Sequence, residues 1–385
     1  MQELMKGLSR GGFDRLVAQH QADKHSKGFG CWNQLVVMVY TQLAGAGSLR
    51  QVEAGFNSQH THHYHLGTRP VRRSTLAEAN AKRNPEVFEQ TARALMGQAT
   101  RKLRQQAAEL LYLLDSTSIT LKGRGFEGWT AASRTRNTQG IKLHLLIERG
   151  EALPCWHSFS AANVNDITRA RELPIEAGAR YVFDKGYCDY AWWAQLNACG
   201  AHFVTRFKGN AALQIEAARP IPAEAAEVVL SDETVCLANK HPGGGRRNPY
   251  TQPLRRICIA RQDKPTKPLV LATNDLASDA QTIAAQYKAR WQIELFFKWI
   301  KQHLRIRQFL GRSENAVRIQ ILTALIAYLL LALHHKAGGF TQSLWQLLGE
   351  VRATLFQRPA LEAELYRRRR ERQQAFAHCQ PGLFA

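Results

Sequence analysis

Apolar side chains recur at helical spacing through residues 1 to about 100, with QLVVMVYTQLAG and PEVFEQTARALMGQAT each reading as a helix and GAGS as a break between helical segments. Between them lies the polar, basic stretch HTHHYHLGTRPVRRSTLAEANAKR. Its RRSTLAEAN portion predicts a helix capped by Ser74 or Thr75, with Glu78 three residues beyond Thr75, entered through Arg69, Arg72 and Arg73. From residue 109 the spacing changes to short apolar runs. ELLYLLDSTSITL predicts a strand ending at Asp115 with a β-rich continuation, and KLHLLIERGEALPCWHSFS a hairpin turning at Arg149-Gly150. NDITRARELPIEAG reads as a short helix, ARYVFDKGY as a strand stopping at Asp184, CDYAWWAQLNACG as a helix closed by Gly200, and AHFVTRFK as a strand. Residues 208 to about 267 break the rhythm with short β-like runs, EVVLSD and RRICIARQ, and the loop KHPGGGRRNPY. LVLATND then predicts a strand and YKARWQIELFFKWIK, Tyr287 to Lys301, a helix.

This order of strands and helices is that of a ribonuclease-H-like α/β domain, a central sheet covered by helices. In such a sheet the strands ending at Asp115 and Asp184 lie side by side, and the glutamate helix packs across their ends. The expected organisation is a small helical domain at 1–100, whose helix entered through arginines suits DNA binding, an α/β domain at 101–340 with a β-rich insertion at about 208–267, and a basic helical tail at 341–385. The most apolar run, Ile321 to Leu333, is shorter than the ~20 residues of a membrane span and predicts a buried helix.

Composition narrows the class. At 385 residues the chain exceeds what one core usually serves, and 45% apolar with 22% charged residues describes a globular protein. The excess of 52 Lys and Arg over 31 Asp and Glu, a net charge of +21, favours a polyanionic partner such as nucleic acid. Seven scattered cysteines without a CxxC pair exclude a disulfide frame and a cysteine zinc site, and fit reduced thiols in a cytoplasmic protein. MQELMKGLSRGGF has no apolar core of a secretory signal. His60, His62, His63 and His65 could ligate a metal, but without a nearby Cys or acidic partner a polar loop is the better reading.

One glutamate stands among the cations and aromatics of YKARWQIELFFKWIK. Taking Tyr287 as zero on a helical wheel, Arg290, Glu294 and Lys301 fall at roughly 300°, 340° and 320°, one polar stripe beside an apolar face of Ile293, Phe296, Phe297, Ile300 and Leu304. Asp115, Asp184 and Glu294 could together hold two divalent cations, Mg2+ or Mn2+, for displacement at a phosphodiester. Three acids so far apart are weak evidence by themselves.

The spacing Tyr287-x2-Arg290-x3-Glu294-x6-Lys301 adds specificity, because it resembles the signature of the IS-four family of insertion-sequence transposases, of the DDE class. LLDSTSITL, VFDKGYCDY, FVTRFK and the β-rich stretch before the glutamate helix are similar to that family in context, and the likeness runs from about residue 10 to residue 335. The resemblance implies a DNA transposase that cleaves the terminal inverted repeats of its element and joins the 3′ ends to target DNA, working as a homodimer on DNA. It implies Asp115, Asp184 and Glu294 as metal ligands, and Tyr287, Arg290 and Lys301 as contacts to the DNA backbone. Arg206, Arg72, Arg73 and the run Tyr366 to Arg372 are further candidate phosphate contacts. The chain departs from the family three residues after Gly186, where an aromatic is usual and Asp189 stands. Trp299, on the far side of the helix, reads as a packing residue. Two neighbouring readings stay open: a transposase-derived DNA-binding protein that no longer cuts, and a nuclease of the same fold without strand transfer.

Overall fold

The computed structural model describes residues 1–106, 110–132, 139–238, 247–262 and 264–356. The run Tyr366 to Arg372, Cys379 and most of the KHPGGGRRNPY loop lie outside these described residues. Helices come first: α1 (Gln2–Met5), α2 (Arg10–Gln19), α3 (Cys31–Ala44), α4 (Leu49–Asn57), α5 (Arg73–Lys82) and α6 (Glu86–Gln106). Then follow β1 (Leu111–Thr120), β2 (Ala131–Ala132), β3 (Gln139–Glu148), β4 (Leu153–Ala161), α7 (Asp166–Ala170), β5 (Arg180–Phe183), α8 (Tyr190–Ala198) and β6 (His202–Arg206). The chain continues through β7 (Leu213–Ala218), β8 (Val229–Leu237), β9 (Leu254–Ile259) and β10 (Leu269–Thr273). It returns to helices α9 (Ala280–Ala289), α10 (Trp291–His303), α11 (Glu314–Gly338) and α12 (Leu344–Thr354).

The strands form one mixed sheet in the order β2-β3-β1-β5-β6-β10-β9-β8-β7, with β4 paired to β3. β1, β5 and β6 run parallel at its centre, and the other pairings are antiparallel. The stretch read from sequence as an insertion continues this sheet: β9 pairs with β10, and β8 and β7 follow it outward.

Side-chain alternation along the central strands gives the sheet two apolar faces. One carries Leu113, Leu143, Leu145 and Val182 into a core shared with Leu35, Met38, Leu95, Ile293 and Leu325, so the N-terminal helices and the sheet are packed on one continuous interior. The other carries Tyr112, Leu114, Tyr181 and Phe183 against Trp192, Trp193 and Leu196 of α8. Helix α11 extends well beyond the apolar run seen in the sequence, to 25 residues, and 89% of its most apolar window is buried inside the protein. Each fully buried Leu or Ile there contributes roughly 1.5–3 kcal/mol, which accounts for a helix whose central stretch, Ile321 to Leu333, is nearly all apolar.

Three local readings change. β1 does not end at Asp115: it stays paired with β3 as far as Thr120↔Gly140, although its pairing with β5 stops at Leu114↔Phe183. Neither Ser74 nor Thr75 caps α5, which begins at Arg73, whose backbone N–H donates to Glu53 Oε1 at 3.1 Å. That carboxylate from α4 satisfies a donor that a local cap would otherwise serve. The helix read as continuous from Tyr287 is interrupted at Arg290, where N–H groups bond three residues back, Arg290 to Tyr287 and Ile293 to Arg290.

Candidate active site

The register of the parallel strands brings the first two acids together. Leu114 of β1 pairs with Phe183, the last residue of β5, so Asp115 and Asp184 each stand one residue past the last registered pair. The alternation that sends Leu113 into the core beside Ile293 also points Asp115 and Thr117 at α10. Helix α10 crosses β1 and brings Glu294 in its first turn, where the positive end of the helix dipole favours a carboxylate. It is tied to β1 at both ends. Arg290 Nη1 lies 3.4 Å from Asp115 Oδ2, and Lys301 Nζ donates to Thr117 Oγ1 and, at 3.4 Å, to the Ser118 carbonyl.

Guanidinium groups thread between the acids. Arg290 Nη2 donates to Glu294 Oε1 at 2.6 Å while Nη1 reaches Asp115, so one side chain spans two carboxylates. Arg206, at the end of β6, donates from Nη2 to Asp184 Oδ1 at 2.5 Å. Burial pushes the Asp115 carboxyl up to about 6, against the hydrogen bond from the Ser116 N–H and the charge of Arg290, and the charges of Glu294 and Asp184 add to the rise. Burial acts on Asp184 in the same sense, but the hydrogen bonds from Arg206 and the Lys185 N–H, with the charges of Arg206 and Arg290, outweigh it and hold this acid below its ordinary value. Burial, with the charge of Arg307, lowers Lys301.

A cleft of about 360 Å³ opens here, lined by Asp115, Ser116, Thr117, Glu294, Phe297, Lys298, Lys301, Gln302 and Arg307. Asp184 and Arg206 are not part of this lining, and Arg72 and Arg73 sit exposed at the start of α5 and take no part in it either. Tyr287 is buried, with the Arg290 guanidinium 5.8 Å from its ring centroid, so its contact in the protein is Arg290. Trp299 packs on Tyr328, ring centroids 5.2 Å apart. At the position where the sequence departs from the family pattern, Asp189 caps α8, its Oδ1 accepting from the Trp192 N–H at 2.9 Å, while Tyr187 is buried and Tyr190 packs edge-on against Trp193. Among the histidines of the N-terminal stretch, His63 is buried and stacked on Phe56.

Sequence reasoning missed Lys298, Gln302, Arg307 and Thr117. Lys298 and Gln302 follow Glu294 at helical spacing, a signal that could have been used, and Thr117 shares the strand face of Asp115. Arg307 lies past the end of α10, where no helical period reaches it. Among the described residues no group of three His, Cys, Asp or Glu side chains is drawn in tightly enough to hold a metal ion. The chemistry of the donors nevertheless fits a hard divalent cation: they are all carboxylates, and two of them raise the charge cost of the third.

Comparison with known proteins bears on the same residues. The family described as Transposase DDE domain matches residues 106–330, and one described as a domain of unknown function matches residues 1–69. A protein named as a transposase in Sinorhizobium fredii is 41% identical over 290 residues, 75% of this chain and 78% of that protein. One named as the transposase of an insertion sequence element in Geobacillus stearothermophilus is 30% identical over 227 residues, 57% of this chain and 55% of that protein. Among solved structures, a chain of the piggyBac transposase synaptic complex with hairpin DNA aligns over 99% of this chain and 84% of that one, with 11% identity and a TM-score of 0.45.

Proposed function

We propose, from the premise that this chain belongs to the DDE transposase family, that Asp115, Asp184 and Glu294 hold divalent cations at the cleft and that terminal inverted repeats of an insertion sequence are cut and joined there. The observation that supports the reading is geometric: the parallel pairing of Leu114 with Phe183 puts Asp115 and Asp184 at neighbouring strand ends, and the Arg290 guanidinium reaches both the half-buried Asp115 and Glu294. We read the α/β sheet that gathers them as ribonuclease-H-like. Carboxylate donors suit Mg2+ or Mn2+, and a pair of such ions, when bound, supplies an activated water or 3′-hydroxyl and a stabilised leaving oxygen.

The chain's own groups do the rest. Arg290, Lys301 and Lys298 bring positive charge to the cleft where a phosphodiester would lie, and charge-assisted hydrogen bonds from fixed cations favour the more negative transition state of an in-line displacement. The pairing of Arg206 with Asp184 keeps that acid ionised and ready to bind metal. Tyr287 acts by orienting Arg290. Phe297 gives the cleft an apolar wall that limits water beside the reacting phosphate. Residues 1–100 with Arg72 and Arg73 serve as a DNA-binding unit, a homodimer assembles on two DNA ends, and the protein works in the cytoplasm on the chromosome.

The test uses the purified full chain, a duplex carrying the inverted repeats that flank its gene, and Mg2+ or Mn2+. Nicking at the repeat ends is expected, and Glu294→Gln should bind the duplex without cutting it. Binding by the parent with no nicking in either metal would overturn the catalytic reading. A pre-cut end incubated with target plasmid tests the joining step separately.

A further inference from the structure

A second depression, about 520 Å³, adjoins the carboxylate cleft and shares Lys301, Gln302 and Arg307 with it, so the two form one trough. Its far wall is built where α3 ends. Gly45 closes that helix in the left-handed region, φ 69°, which glycine adopts without a side-chain clash. Its carbonyl accepts from Arg305 Nε at 2.8 Å. Arg352, just before the end of α12, donates from Nε to the Leu43 carbonyl at 2.8 Å and from Nη2 to the His303 carbonyl at 2.7 Å.

These bonds hold two guanidinium groups close together. A methyl group placed on Gly45 would stand 3.6 Å from Arg305 Nη2 and 3.7 Å from Arg352 Nη2, so both cations flank one point. Burial, and then the charge of Arg305, lowers Arg352. The negative end of α3 offsets part of this repulsion through its last carbonyls. Among the described residues no Asp or Glu lines the depression, and none of Arg305, Arg307 and Arg352 is paired with a carboxylate. Like charges fixed side by side without an acid partner are an arrangement that an entering polyanion relieves. Guanidinium groups suit phosphodiester oxygens.

We propose that this trough carries the phosphate backbone of duplex DNA away from the carboxylate site, with Arg307, Arg305 and Arg352 as its contacts. The inference rests on the reading of the cleft as a DNA-cutting site, and it assigns a DNA path along the seam between α3, the end of α10 and α12.

The experiment measures binding of a fluorescein-labelled, random-sequence duplex about three helical turns long by anisotropy, across a range of salt concentrations. Removing one cation–phosphate pair makes the slope of log affinity against log salt shallower by about 0.9, so Arg307→Gln should show about that change and Arg307→Gln with Arg352→Gln about twice as much. Arg307 is exposed, which leaves the fold intact on substitution, and Arg352→Lys, which keeps the charge, should keep the parent slope. Lys267→Gln, at an exposed position before β10 and outside the trough, serves as the control. An unchanged slope in Arg307→Gln, or an equal change in Lys267→Gln, overturns the proposal. If the parent nicks its repeat ends while these slopes stay unmoved, this inference alone fails; if the parent binds its repeat ends and does not nick them, the function reading fails.

Discussion

Replacing Asp115 by asparagine removes one charge from the cleft and leaves the side chain's size in place. The Ser116 N–H, 2.8 Å from Oδ1, can bond to the amide oxygen as it does to the carboxylate, and the substitution gives up only the long ion pair, 3.4 Å, to Arg290. The Asp115 side chain is 21% exposed and its carboxyl is pushed up to about 6. The folded protein therefore holds this proton more tightly than the unfolded chain does. The stability it contributes is full below the ordinary aspartate range, near pH 4, and is lost as pH rises through about 6. A displacement of about two pH units at ~1.36 kcal/mol each sets an upper bound of about 3 kcal/mol on what the ionised carboxylate costs above pH 7. Asp115→Asn should accordingly stabilise the protein in EDTA at pH 7.5 by about 1–3 kcal/mol, and by about half as much at pH 5, where the unfolded carboxyl is already mostly ionised. Urea unfolding followed by tryptophan fluorescence, with Trp192 and Trp193 buried on the sheet, reads this directly. Adding Mg2+ should then raise the parent's midpoint and leave the variant's almost unmoved, because only a state that binds ligand gains by mass action. A variant less stable than the parent at pH 7.5 in EDTA, or a difference that does not grow between pH 5 and pH 7.5, would contradict this account of Asp115.

Other consequences are as definite. His144 and His157 are buried, and burial lowers them to about 4 and about 3. The unfolded chain takes up these protons first, so stability should fall as pH drops below about 6.5, and His157→Gln should move the acid-unfolding midpoint to lower pH. Leu325→Ala in the fully buried part of α11 should cost about 2–5 kcal/mol in urea unfolding. Lys301→Ala removes the tie from α10 to Thr117 as well as a cation of the cleft, so nicking should fall at saturating duplex while midpoint stability drops by about 1 kcal/mol; full activity with unchanged stability would show that the tie is idle.

Local spacing made much of this molecule legible. Periodicity marked α3, α6, α8 and the central strands because apolar side chains must repeat at 3.6 or 2 residues to reach a core. The Arg-Glu-Lys part of the spacing marked one face of α10, although Tyr287 lies on α9, and the aspartates marked where the pairing of two parallel strands ends. Local pattern also misled in places. A strand can lose one neighbour and keep the other, so β1 runs on past Asp115. A helix can borrow a cap from elsewhere, as α5 does from Glu53.

Which distant groups share a space is a matter of tertiary structure. The pairing of Leu114 with Phe183 sets Asp115 beside Asp184; Arg290 reaches an acid 175 residues away; and Arg352 meets the end of α3 across 309 residues. Taken alone, the sequence supplied the element order, the excess of positive charge and the acids that carry the family pattern. Sheet register and helix packing are settled by burial summed over the whole core, which no local window contains. The pairing of Arg206 with Asp184 and the trough beyond Lys301 could therefore be read only once the chain was folded.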